Sequence, residues 1–194
     1  MEPNSFVHLH NHSDYSLLDG AMKTRAMAER AARCGMPALA LTDHGNLFGA
    51  VEFYLACRKV GVRPILGMEA YVAADRRDRT PDPAKRPSHL VLLAADGRGW
   101  RNLIRLASLA YLEGFYRRPR IDDDLLAAHS EGLIGLSACL SGETSRSLLQ
   151  DDVPAAIRAA GRYAEIFGQG RFWLEIQNHG LDPEAKVRQR MPDV

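Results

Sequence analysis

The sequence has few cysteines, no long apolar run and almost no net charge. Its three cysteines, Cys34, Cys57 and Cys139, are too few and too scattered in 194 residues for a disulfide framework, which favours a reducing, cytoplasmic setting. No apolar segment approaches the roughly 20 residues that span a bilayer, and the start of the chain lacks the pattern of a signal peptide, so we expect no membrane partner. The formal net charge of +1 excludes a general basic field for nucleic acid. Any phosphate must therefore bind at discrete ions or at a local patch.

What the chain does contain is a histidine-rich segment close to its start. His8, His10 and His12 alternate, and Asp19 and Gly20 follow them. In an extended chain, alternate side chains share one side. Imidazole nitrogens and carboxylates are common ligands of divalent metals, so the segment favours a metal site. The alternative interpretation is a polar strand edge followed by a turn.

Short apolar runs and amphipathic stretches alternate along the rest of the chain. The predicted strands cover residues 6–10, 38–41, 64–66, 89–94, 133–136 and 172–177. The predicted helices cover residues 24–34, 47–60, 100–111, 122–129 and 154–167, and another begins at 182. In the second helix, the spacing predicts that Phe48, Val51 and Leu55 face the core. The alternation, without repeats or linkers, predicts an α/β barrel or open α/β sheet in one domain over residues 1–194.

Candidate ligands recur at the ends of the predicted strands. In α/β folds the ligand site lies at the carboxyl ends of the strands. The candidates, drawn from five segments, are His10, His12, Asp19, His44, Glu69, His89 and Cys139. All but Asp19 and His89 directly follow a strand, whereas His89 precedes its strand. Nitrogen-rich ligation with carboxylates and one thiolate favours Zn²⁺, with Mn²⁺ or Fe²⁺ as alternatives. Seven ligands exceed the needs of one tetrahedral ion, which predicts a cluster bridged by Glu69.

Such a cluster would activate water to hydrolyse a phosphoester, without a separate serine or cysteine nucleophile. We expect activity to depend most directly on His12 and Glu69. His8 is expected to support the site rather than bind metal, and Asp43 to act as a carboxylate behind a ligand. Taken one at a time, each candidate could equally be an ordinary turn or core residue, as Cys34 and Cys57 are expected to be. The side chains of Arg76, Arg77 and Arg79 form a charge run, which is interpreted either as a solvated loop or as a contact to a nucleic-acid backbone.

Five segments, in order, resemble the successive motifs of the polymerase and histidinol phosphatase (PHP) superfamily. They are His10-Asn11-His12-Ser13, Thr42-Asp43-His44-Gly45-Asn46, Gly67-Met68-Glu69, His89-Leu90-Val91-Leu92-Leu93-Ala94 and Leu136-Ser137-Ala138-Cys139. The chain is most similar to the N-terminal PHP domains of bacterial replicative polymerase III alpha subunits. The resemblance implies a distorted seven-stranded β/α barrel with up to three ions, Zn²⁺ or Mn²⁺.

The resemblance also implies how the ligands are shared among the ions. Carried over by position, the groups are His10, His12 and Glu69; Glu69, His89 and Cys139; and Asp19 with His44. The family's last motif, Asp-x-His, is not found before Val194. We therefore expect a domain truncated before its last ligand-bearing strand, an N-terminal fragment of a longer polymerase subunit. We expect enzymatic activity in that full-length protein rather than in this chain alone.

Two functions follow from the resemblance and stay open at this point. Where the ligands are kept, the domain resembles a metal-dependent 3′–5′ exonuclease used in proofreading, acting on the 3′ end of DNA. Where they have decayed, the domain is a catalytically silent, metal-stabilised scaffold that docks a separate exonuclease subunit. In both cases the remainder of the polymerase alpha subunit is the implied partner. A free-standing small-molecule phosphatase lacks support at residues 42–54.

Overall fold

The computed structural model describes residues 6–17 and 19–194, and its elements follow the predicted alternation. The strands are β1 Ala38–Leu41, β2 Arg63–Val72, β3 Ser88–Ala94, β4 Arg120–Ile121, β5 Leu133–Leu136 and β6 Phe172–Trp173. The helices are α1 Thr24–Arg33, α2 Ala50–Val60, α3 Gly97–Leu112, α4 Asp123–Ala128, α5 Glu143–Leu149, α6 Val153–Phe167 and α7 Asp182–Arg190. Short 3₁₀ turns cover Pro83–Lys85 and Met191–Asp193. The predicted set lacks α5 and β4, which are too short to show a clear periodicity.

The six strands of the described chain form one mixed sheet, which confirms the α/β class. The order is β1-β2-β3-β5-β6, and β4 pairs with the end of β2. Strands β1 and β4 run parallel to β2, and β6 runs parallel to β5, but β3 is antiparallel to both of its neighbours. The prediction of parallel crossovers is therefore wrong for β3. The connection over residues 73–87 holds no α-helix, and a strand that returns without a crossover helix pairs antiparallel.

The ends of the sheet do not close on each other in the part of the chain that the structure describes. The hydrogen-bonded path runs from β1 to β6 through five strands, and β4, the sixth, pairs with β2 beside it. A seven-stranded barrel therefore stays a prediction.

The N-terminal segment, predicted as a strand over residues 6–10, is not a regular strand. Two hydrogen bonds tie it to β1 and its extension: the Ala40 amide donates to the His8 carbonyl at 3.0 Å, and the Thr42 amide donates to the Asn11 carbonyl at 2.8 Å. These bonds are too widely spaced to make a ladder. They nevertheless lead the segment along β1, so His10 and His12 arrive at the carboxyl end of that strand.

The packing of α2 corrects its predicted inner face. Phe48, Val51 and Leu55 are exposed to 66%, 67% and 62%. Instead, Phe53 and Cys57 are fully buried against α1 and β1. Both sets of residues recur at helical spacing, so the period alone cannot choose between them. The buried set contains smaller residues, which let α2 approach the alanines of α1 closely.

Other helix boundaries follow local chemistry. Asp122 caps α4 as predicted, because its carboxylate accepts a hydrogen bond from the Leu125 amide at 3.0 Å. Gly61 ends α2 in the left-handed conformation, with φ 78°. Across residues 6–17 and 19–194, every helix is too short or too polar to cross a bilayer.

Replacing Phe53 by alanine tests the packing of α2. The change deletes a fully buried ring, so we expect the free energy of unfolding to fall by about 3–5 kcal/mol. The matched change Leu55→Ala, on the exposed side of the same helix, should alter it by less than about 0.5 kcal/mol. Urea denaturation of both variants measures the difference. Equal losses in the two variants would contradict the finding that α2 packs through the face of Phe53 and not through the face of Leu55.

Candidate metal centre

The carboxylate of Glu69, within β2, lies at the centre of the site. Glu69 is only 1% exposed. Its backbone is fixed on both sides: it pairs with Val91 of β3, and its carbonyl accepts a hydrogen bond from the Gly45 amide at 2.9 Å. Its own amide donates to the Asp43 carbonyl at 3.1 Å. A carboxylate buried this deeply requires charged or polar partners, and the surrounding strand ends supply them.

Four imidazoles surround this carboxylate. Its Oε2 lies 3.4 Å from Nε2 of His10, 3.2 Å from Nε2 of His12 and 2.9 Å from Nδ1 of His44. Its Oε1 is hydrogen-bonded to Nδ1 of His89 at 3.0 Å. The rings of His12 and His44 stack with centroids 4.3 Å apart. The structure therefore brings these five predicted residues to one point.

The chain between His10 and His12 is held by Thr42, just beyond β1. The Asn11 amide donates to the Thr42 hydroxyl at 2.9 Å, and that hydroxyl donates back to the Asn11 carbonyl at 3.0 Å. Asn11 thus faces β1. Because side chains alternate along an extended chain, both flanking histidines point the other way, towards the centre.

Asp43, predicted to stand behind a ligand, orders the loop that follows His12. Its buried carboxylate accepts hydrogen bonds from the Ser13 amide, the Ser13 hydroxyl and the Ser16 hydroxyl, each at 2.7 Å. The Ser16 oxygen in turn accepts a hydrogen bond from the His44 amide at 3.0 Å. Asp43 therefore joins the loop after His12 to the loop that carries His44.

Asp19 lies on the solvent side of the cluster. Its Oδ2 is 2.8 Å from Nε2 of His44 and 3.6 Å from Nε2 of His12. The next residue, Gly20, passes so close to the Ser13 carbonyl that a Cβ would overlap it. Glycine is therefore needed for the loop to close with Asp19 in this place.

His89 and Cys139 reach the site from β3 and from the loop after β5. Because β3 (Ser88–Ala94) runs antiparallel to β2, its first residues lie beside the last residues of β2, which explains why a predicted ligand, His89, comes from the start of its strand and not from the end. The Cys139 Sγ lies 3.6 Å from both Glu69 Oε1 and His89 Nδ1. The preceding Ala138 has φ 62°, which is uncommon for a residue with a Cβ and is found most often at functional turns.

Two side chains at the site were not among the predicted residues. The Oε1 of Glu175 lies 2.8 Å from Nδ1 of His10, and the Gln177 amide donates to that same oxygen at 2.6 Å. A carboxylate on one ring nitrogen orients the ring, so Nε2 of His10 faces the centre. Both residues follow β6. The rule of strand ends would have selected them if the strand predicted over 172–177 had been ended at Trp173.

The remaining histidine and cysteine candidates lie apart from the cluster. The His8 ring packs edge-on against Phe6 with centroids 4.7 Å apart, and its carbonyl accepts a hydrogen bond from the Ala40 amide of β1, so a supporting role of His8 at the site stays a prediction. Cys34 is exposed at the end of α1. The Nδ1 of His179 lies 2.6 Å from Oε1 of Glu184, where it helps to begin α7.

Burial and charge shift the pKa values of the cluster in opposite directions. Burial disfavours the charged ring of His10, but the carboxylates of Glu175 and Glu69 outweigh it and raise the pKa to about 10. Burial likewise opposes the charged ring of His44, yet neighbouring carboxylates raise its pKa. Burial would raise the pKa of Glu69, but the imidazoles hold it far below its ordinary range. Burial and the charge of Glu69 raise the pKa of the Cys139 thiol to about 11. Glu69 is thus ionised at neutral pH, the form that binds metals.

The geometry suits cations better than hydrogen bonds. Among the described residues, Oε2 of Glu69, Nε2 of His10 and Nδ1 of His44 are buried without a hydrogen-bond partner. Both nitrogens nevertheless lie within 3.4 Å of that oxygen. The atoms are close but are not aligned as donors and acceptors, an arrangement that a shared cation would satisfy.

Three overlapping groups of ligand atoms have all members within 4.8 Å of one another in the described chain. They are His10, His12 and Glu69; His12, Asp19 and His44; and His44, Glu69 and His89. The first matches a group that the resemblance implies. The second group contains the implied pair Asp19 and His44 together with His12. The third group contains Glu69 and His89 as implied, but with His44 instead of Cys139. The donors present fit a cluster of divalent cations that share Glu69.

Comparison with known proteins agrees with this geometry. The family profile of the PHP domain matches residues 8–179, a range that includes all seven predicted ligands. The chain belongs to the PHP domain family. Similar PHP domains occur in DNA polymerase III subunit alpha of Treponema pallidum, 49% identical over 185 residues, and of Thermus aquaticus, 51% identical over 189 residues. These alignments cover 94% and 95% of this chain but 16% and 15% of the relatives, so the chain spans about one sixth of their length.

A solved structure supports the fold. A protein of Bifidobacterium adolescentis, described as a metal-dependent phosphoesterase, superposes with a TM-score of 0.57 at 17% sequence identity. The match covers 99% of this PHP domain and 84% of that chain. At this identity the likeness concerns the fold alone.

Replacing Asp43 by asparagine tests how the two ligand loops are joined. The variant keeps the size of the side chain but removes a charge that accepts three buried hydrogen bonds. We expect the free energy of unfolding to fall by about 1.5–3 kcal/mol and the affinity for Zn²⁺ to fall by about 10–100-fold. The exposed neighbour Asp14→Asn is the control, measured by thermal unfolding and calorimetric metal titration. Equal effects of the two variants would show that Asp43 does not hold the loops.

Proposed function

We propose that this PHP domain is the N-terminal part of a bacterial replicative DNA polymerase and that it hydrolyses phosphodiester bonds at the 3′ end of DNA. The observation that carries the proposal is the buried carboxylate of Glu69 with four imidazoles around it. The relatives named DNA polymerase III subunit alpha support the polymerase context. The Bifidobacterium protein, which shares the fold, has been assigned as a metal-dependent phosphoesterase from a description and not from a measured activity, and we extend that chemical class to this chain as part of the proposal.

The predicted ligands would hold Zn²⁺ or Mn²⁺ at this site: His10, His12, Asp19, His44, Glu69, His89 and Cys139. When bound, such ions polarise a phosphate oxygen and lower the pKa of a coordinated water to near 7. Glu69 would be able to share its charge between cations, because its Oε2 faces His10, His12 and His44 and its Oε1 faces His89. Glu175 fixes the ring of His10.

The position of Asp19 indicates where a substrate would enter. Its side chain is 51% exposed, while those of Glu69 and His89 are 1% and 10% exposed. The inner side of the cluster is closed by β2 and β3. A phosphate would therefore approach past Asp19, where the ligands His12 and His44 are nearest to solvent.

The alternative, a silent scaffold, is favoured by one observation. The cluster joins the N-terminal segment, the end of β1, β2, β3 and the loop after β5. A cation there would cross-link elements that are distant in sequence and would stabilise the conformation that binds it. In this role the PHP domain would support the polymerase and dock a separate exonuclease subunit.

Hydrolysis of a 3′-labelled single-stranded oligonucleotide separates the two functions. With Mn²⁺ or Zn²⁺ present, we expect the full polymerase that carries this domain to release mononucleotides from the 3′ end. Glu69→Gln should lower the rate by at least about 100-fold, because it removes the charge that the cations share. The exposed Glu165→Gln, which makes the same chemical change on α6, should leave the rate unchanged. Equal rates for wild type and Glu69→Gln would exclude catalysis at this site.

Cation binding should also be visible as stability. At a free metal concentration 100 times its Kd, we expect a gain of about 2.7 kcal/mol in the free energy of unfolding. Thermal unfolding with and without a chelator measures the gain, and Glu69→Gln should abolish it. A gain without hydrolysis by any metal would support the scaffold, and no gain would contradict metal binding itself.

A further inference from the structure

An exposed surface of arginines and aromatic rings adjoins the metal centre. We propose that it binds a single-stranded nucleic acid, with phosphates on Arg117 and Arg118 and bases on Phe48, Tyr111 and Phe115. These five residues are called the arginine–aromatic surface below. The assignment rests on the proposed function, because it extends the substrate of the same site from one phosphodiester to a strand.

Tyr71 joins this surface to the metal centre. Its ring stacks on that of His44 with centroids 5.7 Å apart and meets His89 edge-on at 5.1 Å. The guanidinium of Arg118 lies over the same ring at 4.8 Å. One aromatic ring therefore separates a free cation from two predicted ligands. Phosphates on Arg118 and at the centre would be close neighbours along one strand.

The two arginines are available to an anion. Both are exposed, and none of the ion pairs found in residues 6–17 and 19–194 uses them. Their guanidinium groups rest on tyrosine rings, Arg117 on Tyr116 at 5.4 Å and Arg118 on Tyr71. A guanidinium over a ring keeps its N–H donors free for a phosphate. Arg117 holds φ 60°, an uncommon conformation for a residue with a Cβ.

Arg76 and Arg77, two of the arginines of the predicted charge run, are used differently. Arg76 binds Asp122 at 2.8 Å and Glu113 at 2.7 Å, and Arg77 binds Glu113 at 2.8 Å. These pairs tie the start of the loop after β2 to both ends of the segment 113–122. They therefore serve as the support that holds Arg117 and Arg118 in place, not as contacts to a nucleic acid.

A cleft of about 650 Å³ continues from the two arginines and is lined by Arg86 as well. The charged side chains that line it are three carboxylates (Asp75, Asp78 and Asp82) and five basic groups (Lys85, Arg86, Arg117, Arg118 and Arg120). One of the carboxylates, that of Asp78, pairs with Lys85 at 2.7 Å. The charge of the cleft is thus positive, although the whole chain carries only +1. Such a local patch is what phosphate binding requires here.

The aromatic rings form a row beside the arginines. The centroids of Phe48 and Tyr111 are 6.1 Å apart, and those of Tyr111 and Phe115 are 6.0 Å apart. The three side chains are exposed to 66%, 39% and 48%. Phe48 lies four residues after His44, and Phe115 lies two residues before Arg117, so the row is connected through the chain to the metal centre at one end and to the arginines at the other. Exposed rings beside free cations are typical of proteins that stack unpaired bases, which points to a single strand rather than a duplex.

Fluorescence anisotropy with a labelled oligothymidylate of about 12 nucleotides, in the presence of a chelator, tests the arginines without hydrolysis. The double variant Arg117→Asn, Arg118→Gln removes both charges, and asparagine tolerates the left-handed backbone. We expect weaker binding and a salt dependence whose log–log slope falls by about 1.4, since each single-strand phosphate contact contributes about 0.7. The control Arg30→Gln, Arg158→Gln removes two exposed charges from α1 and α6 and should leave the slope unchanged. The same slope in both double variants would overturn the assignment.

A second probe tests the aromatic rings. Phe48→Leu and Phe115→Leu keep apolar side chains but lose the flat ring, so each should weaken oligothymidylate binding by at least about fivefold. An abasic strand of the same length should bind equally to wild type and to these variants. The exposed Ile157→Ala is the control for a lost apolar side chain. If wild type binds oligothymidylate and the abasic strand equally, and only the arginine variant binds more weakly, the surface accepts any polyanion, such as an acidic peptide. The nucleic-acid assignment then fails.

Wild-type hydrolysis of bis(4-nitrophenyl) phosphate with added Mn²⁺ tests the metal centre independently. No hydrolysis of this small diester together with arginine-dependent and ring-dependent binding would overturn the proposed function but support the surface. Hydrolysis of the small diester together with unaltered oligothymidylate binding in all variants would support the proposed function but overturn the assignment of the surface.

Discussion

The buried carboxylate of Glu69 is the constraint on which the rest of the fold depends. Removing an ion from water carries a penalty of several kcal/mol unless partners compensate it. Here the partners are imidazoles from the N-terminal segment, the loop after β1 and the start of β3. Each must arrive within hydrogen-bond or coordination distance, so the loops that carry them are held by their own buried polar contacts, such as those of Asp43 and Thr42. The stability of the fold and the chemistry of the site therefore depend on the same contacts.

Much of this convergence could be predicted, because it follows from local pattern and fold class. His12, His44 and Glu69 were selected by one rule, that ligands gather where strands end. His89 also lies where strands end, but it does so at the start of an antiparallel strand, and the sequence did not show that β3 runs antiparallel. The direction of β3 depends on the connection over 73–87, which returns without a helix, and strand direction is a tertiary property.

The face of α2 and the arginine loop mark the limit of local pattern. Phe48 and Phe53 both belong to apolar sets at helical spacing, and only the closeness of α1 decides which set is buried. Arg76 and Arg118 are chemically identical and both follow the end of a strand or helix by a few residues. Arg76 forms an ion pair within the fold because Glu113 lies opposite it. A periodic sequence pattern cannot predict such a partner, since the two residues are distant in sequence.

The residue whose predicted placement was wrong, Phe48, also belongs to the arginine–aromatic surface. A helix that buried Phe48 would have satisfied the hydrophobic pattern, yet the ring lies outside, against Tyr111 and beside the ligand loop. Leaving a large ring in water forgoes the stabilisation that burial gives. Departures from local consistency are expected where function selects against maximal stability. Phe48, which lies in a row with Tyr111 and Phe115 and follows the predicted ligand His44 by four residues, is such a departure.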